Sequence, residues 1–190
     1  MSMPQRSVFY GKGSEWTLTT YLGDLLEEAE RRFGPRLRQW TPIGVQIGDA
    51  GPPGVRFLGD TDKVFIRLSS GSEFDIDCAL LELAHEVVHL LSPVHAATCL
   101  EEGLATHFSL TNRHTEKNAA ENRKRIRSDH PKYHSALVVF EEFQQAGGDI
   151  RTLRHHEPVI SKISAALLRV CVPNLRPEFI PKLLGPIDAL

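Results

Sequence analysis

Asp77–Leu91, DCALLELAHEVVHLL, decides how the rest of the chain is read. Its apolar residues recur at three- and four-residue spacing and cover most of a helical circumference, which predicts a helix buried in the centre of a domain. Ser72 with Asp75 reads as an N-cap and its reciprocal partner, opening a helix that runs to about Leu91, and Pro93 ends it. Such a helix would have to bury His85, Glu86 and His89, which is costly unless each side chain has a partner.

Working outward from this helix, Leu18, Tyr21, Leu22, Leu25, Leu26, Ala29 and Phe33 predict an earlier helix from Thr17 or Thr19 to Phe33, stopped by Gly34-Pro35. Residues 1–16 read as a loosely ordered arm. Ile43–Ile47 and, more clearly, Lys63–Leu68 alternate as strands, and Gly51-Pro52-Pro53-Gly54 and Gly59-Asp60 mark turns around them. Downstream, Thr98 opens a helix to about Ser109. Thr111–Ser128 is polar, an exposed helix or long loop. Tyr133–Ala146 is amphipathic, with Tyr133, Leu137, Phe140 and Gln144 on one stripe, and Pro158–Val170 predicts a last substantial helix before a Pro-punctuated tail. Strands early and helices late give an α+β class. We expect one domain over residues 1–190, with a strand-and-metal-helix part over about 17–110 and a helical part over 111–190.

The composition is that of a soluble globular protein, 41% hydrophobic and 24% charged, with a formal net charge of −2. No global basic field points to nucleic acid, and Arg123-Lys124-Arg125 with Arg127 reads as a solvated helix face. No stretch is apolar enough to span a bilayer, so no membrane partner is expected. The N-terminus has no apolar signal region, and Cys78, Cys99 and Cys171 have no CxxC spacing, so a cytoplasmic chain with reduced thiols is expected.

The pattern His85-Glu86-Val87-Val88-His89 carries chemistry as well as a burial problem. On a helix the two histidines lie one turn apart and side by side, where both imidazoles can hold one Zn²⁺. Glu86, about 100° around the helix from His85, can act as general base on a zinc-activated water and later deliver the proton to a leaving amine. With 9 His and 15 Glu in 190 residues, chance yields the bare pattern in about one chain in thirty, so the weight comes from the buried helix around it.

A catalytic zinc needs a third protein ligand and an open position. His95 stands at the spacing HExxHxxGxxH, the metzincin pattern, but Ser92 replaces the glycine that lets that backbone turn, and the only methionines are Met1 and Met3, so no downstream methionine turn exists. The alternative lies in Thr98–Thr106, TCLEEGLAT. Thr98 and Glu101 have capping-box spacing, which occupies Glu101 with the helix end. Glu102, on another face and followed by Gly103, is the preferred ligand, with His95 the competitor.

HEVVH followed by Glu102-Gly103-Leu104-Ala105 resembles the gluzincins, the HExxH metallopeptidases whose third ligand is a glutamate on the next helix, and echoes the zinc signature of the aminopeptidase N type. The resemblance covers residues 63–108, about a quarter of the chain. It implies a small zincin-like domain, His85, His89 and Glu102 as zinc ligands, Glu86 as catalytic base, and Thr106 as a hydroxyl supporting the ligand shell. It also implies a peptide or protein substrate, bound by strand addition to the strand before the zinc helix, here Lys63–Leu68. The gap from His89 to Glu102 is shorter than in the large aminopeptidases, and no exopeptidase signature is present.

A peptidase also needs a donor for the oxyanion. Tyr133 and His134 are the first candidates, followed by His114, His130, His155 and His156. Glu82, one turn before Glu86, is a candidate partner for a ligand imidazole, and Cys78 a candidate for the metal face. The alternative to a zinc-dependent metallopeptidase is a non-catalytic zinc-binding regulatory or interaction protein on the same scaffold. Cleavage preference and oligomeric state leave no trace in the sequence.

Overall fold

A computed structural model describes residues 14–48 and 51–189; most of the expected N-terminal arm lies outside them. The class is α+β: eight α-helices and one three-stranded mixed sheet among the described residues. Helix α1, Ser14–Phe33, buries Leu18, Leu22, Leu25, Ala29 and Phe33, the expected stripe. Strands β1 (Thr41–Ile47), β2 (Gly54–Phe57) and β3 (Lys63–Leu68) follow, in the order β1-β3-β2. β1 runs parallel to β3, and β2 antiparallel to it.

Two expectations change here. β2 was read only as the end of a turn, because four residues starting at glycine are too few to show alternation. Its presence places β3 in the middle of the sheet, hydrogen-bonded on both sides, so β3 cannot accept an added peptide strand. On β3, Val64, Ile66 and Leu68 are fully buried against the helices, and Phe65 and Arg67 point to the other face.

Helix α2 (Ile76–His89) starts later than expected. Asp75, not Ser72, is its N-cap, accepting from the backbone N–H groups of Asp77 and Cys78 at 3.0 Å each, while Ser72 lies in a 3₁₀ turn, Ser70–Glu73. Leu83, Ala84, Val87 and Val88 are fully buried, so α2 is the central helix. Helix α3 (Cys99–Thr111) begins at the Thr98 cap. Its Gly103, next to the candidate ligand Glu102, does not face α2. It faces α5 (Pro131–Gln145) instead: a Cβ there would lie 2.5 Å from the carbonyl oxygen of Ala136 and 2.6 Å from Phe140 Cβ. That crossing locks α3 in place between α2 and α5. The buried face of α5 is Ala136, Leu137, Val139, Phe140 and Phe143, leaving Gln144 exposed and Tyr133 at its rim.

The polar segment before α5 forms α4 (Ala119–Asp129), whose Arg123 pairs with Glu141 and Arg125 with Asp75. An additional short helix, α6 (Ile150–His156), precedes the single helix expected over 158–170, which is instead two pieces: a 3₁₀ turn at Ile160–Lys162 and α7 (Ala165–Cys171). Asp149 and Ser164 each cap a new start by accepting from the following backbone N–H groups. The tail packs as α8 (Phe179–Leu184), burying Ile180 and Leu183. No helix among the described residues is long and apolar enough to cross a membrane.

Candidate metal centre

His85 and His89 leave the last turns of α2 side by side, and Glu102 enters from the first turn of α3. The return of the chain through α3 after Pro93 brings the carboxylate to the imidazoles. His85 Nε2 lies 3.1 Å from Glu102 Oε2, the two Nε2 atoms are 3.4 Å apart, and His89 Nε2 is 3.7 Å from Glu102 Oε2. Donors held 2.0–2.1 Å from one tetrahedral ion are about 3.3–3.4 Å from each other. The three observed separations bracket that value. The donor set also suits a cation: two imidazole nitrogens and one carboxylate converge, and no lysine or arginine among the described residues pairs with Glu102. His85, His89 and Glu102 could therefore hold a metal ion, and among the described residues no other group of His, Cys, Asp or Glu side chains has this arrangement.

His95 does not join them. It lies against Phe57, with ring centroids 4.6 Å apart. With no glycine at Ser92, the chain after α2 carries His95 towards β2.

Glu101 has a different part from the one its spacing suggests. Thr98 Oγ1 accepts from the Glu101 backbone N–H, so half of the capping box forms. The Glu101 side chain turns inward, fully buried, and Oε1 meets His89 Nδ1 at 2.9 Å. A carboxylate can only accept, so Nδ1 carries the hydrogen, and in the neutral imidazole that ligation requires Nε2 presents its lone pair to the ligand group. Glu101 Oε2 is buried with no hydrogen-bond partner. The field of Glu101 reaches Arg154, which is 5% exposed and donates to the carbonyls of Phe33, Gly34, Pro35, Leu91 and Pro158. Arg154 ties the ends of α1 and α2 together behind the metal group. Nothing in its sequence neighbourhood marks it, because all its acceptors but Pro158 are backbone atoms far away in the chain.

The electrostatics without a metal are those of a tight ionic cluster. Burial pushes His89 towards its neutral form, but the Glu102 and Glu101 carboxylates outweigh it and hold its pKa well above the usual histidine range. Burial likewise opposes ionisation of Glu102, yet the His89 charge and the His85 imidazole hydrogen bond hold its pKa well below the usual carboxylate range. Glu86, 6% exposed, is raised by burial, with His89 and His85 pulling the other way.

Glu86 and His85 open onto a cavity of about 420 Å³ whose walls include Pro52, Pro53, Leu81, Ile126 and Tyr133. Tyr133 stands edge-on to His85, ring centroids 5.2 Å apart, and its hydroxyl is pushed up to about 12 by burial and the nearby Glu102 and Glu86 carboxylates. His134 is absent from the cavity wall; Arg123 and Arg127 on α4 are the cations that act on it. His130 is on the wall, beside Tyr133. His114 packs on Tyr21, and His155 and His156 meet edge to face at the end of α6. Glu82 is not an imidazole partner: it accepts from Ser69 N, Ser69 Oγ and Ser72 Oγ and so fastens the 3₁₀ turn to α2. Cys78 is on the cavity wall but contacts Arg125, Glu82 and Ser72 rather than the metal group. Thr106 Oγ1 donates to the Glu102 carbonyl at 2.8 Å, bracing the ligand's backbone rather than its carboxylate.

No family model matches the chain, and no curated protein or solved structure matches it significantly.

Proposed function

We propose that the chain is a zinc metallopeptidase of gluzincin type, in which His85, His89 and Glu102 hold the ion and Glu86 is the general base. The observation that carries this reading is the convergence of the three donor atoms at 3.1–3.7 Å with Glu86 buried beside them and facing a cavity. Zinc is the natural ion for two neutral imidazoles and a carboxylate in a tetrahedral array, and it supplies Lewis acidity that makes water acidic near neutral pH.

The residues of the chain do the rest. Glu86, raised by burial, is a stronger base than an exposed glutamate and takes a proton from the attacking water. As the carbon–oxygen bond forms and the carbon–nitrogen bond breaks, it returns that proton to the amine nitrogen. Tyr133 remains protonated at neutral pH and offers its O–H to the carbonyl oxygen as charge develops there. Glu101 keeps His89 in the tautomer that ligation requires. With β3 paired on both sides, β2 is the strand along which an extended peptide would lie, because its outer edge carries no partner among the described residues.

Glu86→Gln separates this reading from a zinc-binding protein without catalysis. The variant should retain zinc and lose hydrolysis of an unfolded protein substrate by about 10²–10⁴-fold. Equal hydrolysis by wild type and variant would remove Glu86 as the base, and no hydrolysis by zinc-loaded wild type would favour the regulatory alternative.

A further inference from the structure

Two guanidiniums meet at the Gly51-Pro52-Pro53-Gly54 turn. Arg56 Nη2 donates to the Pro52 carbonyl at 2.8 Å, and Arg67 Nη2 donates to the same oxygen at 3.0 Å. In the β2–β3 ladder Gly54 stands opposite Arg67 and Arg56 opposite Phe65, so both arginines leave the sheet on the face away from the core. The flanking glycines make room for them. A Cβ on Gly54 would stand 2.6 Å from Arg56 Nη1, and one on Gly51 3.1 Å from Arg67 Nη2.

This pair is over-provided for a turn clamp. A guanidinium has five N–H donors, and the Pro52 carbonyl, with the Val55 carbonyl that accepts from Arg56 Nη1 at 3.4 Å, uses few of those that two supply. Arg67 Nε is buried with no partner. Neither arginine has a carboxylate within ion-pair distance among the described residues. Placing two like charges on one oxygen is unfavourable: burial and then Arg67 lower the pKa of Arg56, opposed by the pull of Glu86. Among the described residues, the carboxylate whose field acts on Arg56 is therefore the proposed catalytic base.

The location connects the pair to the site. Pro52 and Pro53 form part of the cavity wall that includes His85, Glu86 and Tyr133, and the Pro52 carbonyl anchors both arginines. A peptide added along the outer edge of β2 would set one of its side chains in cross-strand position to Arg56, with Cβ atoms about 4.5–5.5 Å apart. A carboxylate there matches the planar fork of a guanidinium.

We propose that Arg56 and Arg67 form a carboxylate-binding subsite, so that the preferred substrates are peptides carrying a carboxylate close to the scissile bond. Its source is an acidic side chain or the free C-terminal carboxylate of the peptide. The inference rests on the metallopeptidase reading for what is cleaved, but not for what is bound.

The test uses fluorescent peptides of one apolar sequence: a blocked peptide with a central Glu, the same with Gln, and the Gln peptide with a free C-terminus. Affinity is measured with zinc-loaded Glu86→Gln protein, and cleavage with wild type. One carboxylate-bearing peptide should bind about tenfold more tightly than the blocked Gln peptide, and which one it is identifies the source. The preference should vanish in Arg56→Gln/Arg67→Gln and persist in part in Arg56→Lys/Arg67→Lys, which keeps the charges but loses the forks. Zinc content of both double variants reports that the fold is intact. Equal affinity for all three peptides, or a preference unchanged in the glutamine double variant, would overturn the subsite. An arginine-dependent preference in binding without any cleavage by wild type would uphold the subsite while sinking the peptidase reading.

Discussion

Glu82 accepts from Ser69 N, Ser69 Oγ and Ser72 Oγ at 2.9, 2.6 and 2.7 Å, while Glu86, one turn further along α2 and more deeply buried, has no hydrogen-bond donor among the described residues. The same side chain on the same helix is thus held in two ways. At Glu82 a 3₁₀ turn supplies three donors, and the carboxylate joins two elements. At Glu86 no donor is offered, although a buried carboxylate without one is costly. Its oxygens face a cavity and two imidazoles instead. A buried acid satisfied by its surroundings is architecture; one with no protein donor, opening onto a cavity beside a metal-capable group, is poised for chemistry.

The largest expected effect tests the Glu82 half of this comparison. Glu82→Leu strands three donors and should destabilise the fold by about 3 kcal/mol, read as a lower urea midpoint. Glu86→Leu should leave stability equal or higher, since it removes a charge that burial disfavours and that no protein donor among the described residues holds. Equal losses in the two variants would erase the distinction.

Glu101 lies between these extremes, with Oε1 bonded to His89 and Oε2 orphaned. Glu101→Gln keeps an acceptor for Nδ1–H but removes the charge, and zinc affinity should fall by about 10–100-fold in a competition titration. The Co²⁺-substituted variant should show a shifted visible spectrum. Unchanged affinity and spectrum would reduce Glu101 to a packing residue.

How much of this was legible in the sequence depends on whether the signal was local. His85, Glu86 and His89 stand out because i,i+4 spacing on one helix fixes their geometry, and Lys63–Leu68 was read to the residue because its alternation is strong. Glu102 was reachable through the length of the connection and the cap at Thr98. The inward turn of Glu101 was not, because a capping box and a buried imidazole partner require the same residue spacing. β2 was too short to show a period. The partners of Gly103 and Arg154 were hidden for another reason: Ala136, Phe140, Phe33 and Leu91 are distant in the chain, and no local pattern announces a helix crossing or a cluster of carbonyls.

The smallest expected effect lies outside the metal group and sharpens the contrast between satisfied and unsatisfied buried groups. His107 on α3, packed on the Phe140 ring, is held down to about 4 by burial, with Arg32 adding to it. Below pH 6.5 the unfolded chain takes up a proton that the folded His107 refuses, so stability from this residue is complete above pH 6.5, falls as pH drops towards 4, and then levels off. The loss should be about 2 kcal/mol after allowance for its partial exposure. In His107→Gln, unfolding measured from pH 7 to pH 4 should show a correspondingly shallower decline, and an identical decline would contradict the assignment.

The central claim is that two turns of α2 and the first turn of α3 make one metal site. Zinc titration of metal-free protein against a competing chelator tests it most directly. One zinc per chain at sub-micromolar affinity is expected for wild type and for His95→Ala, with binding lost in His89→Ala and severely weakened in Glu102→Ala. A wild-type chain that takes up no zinc at micromolar concentrations, or one whose affinity depends on His95 and not on Glu102, would contradict it.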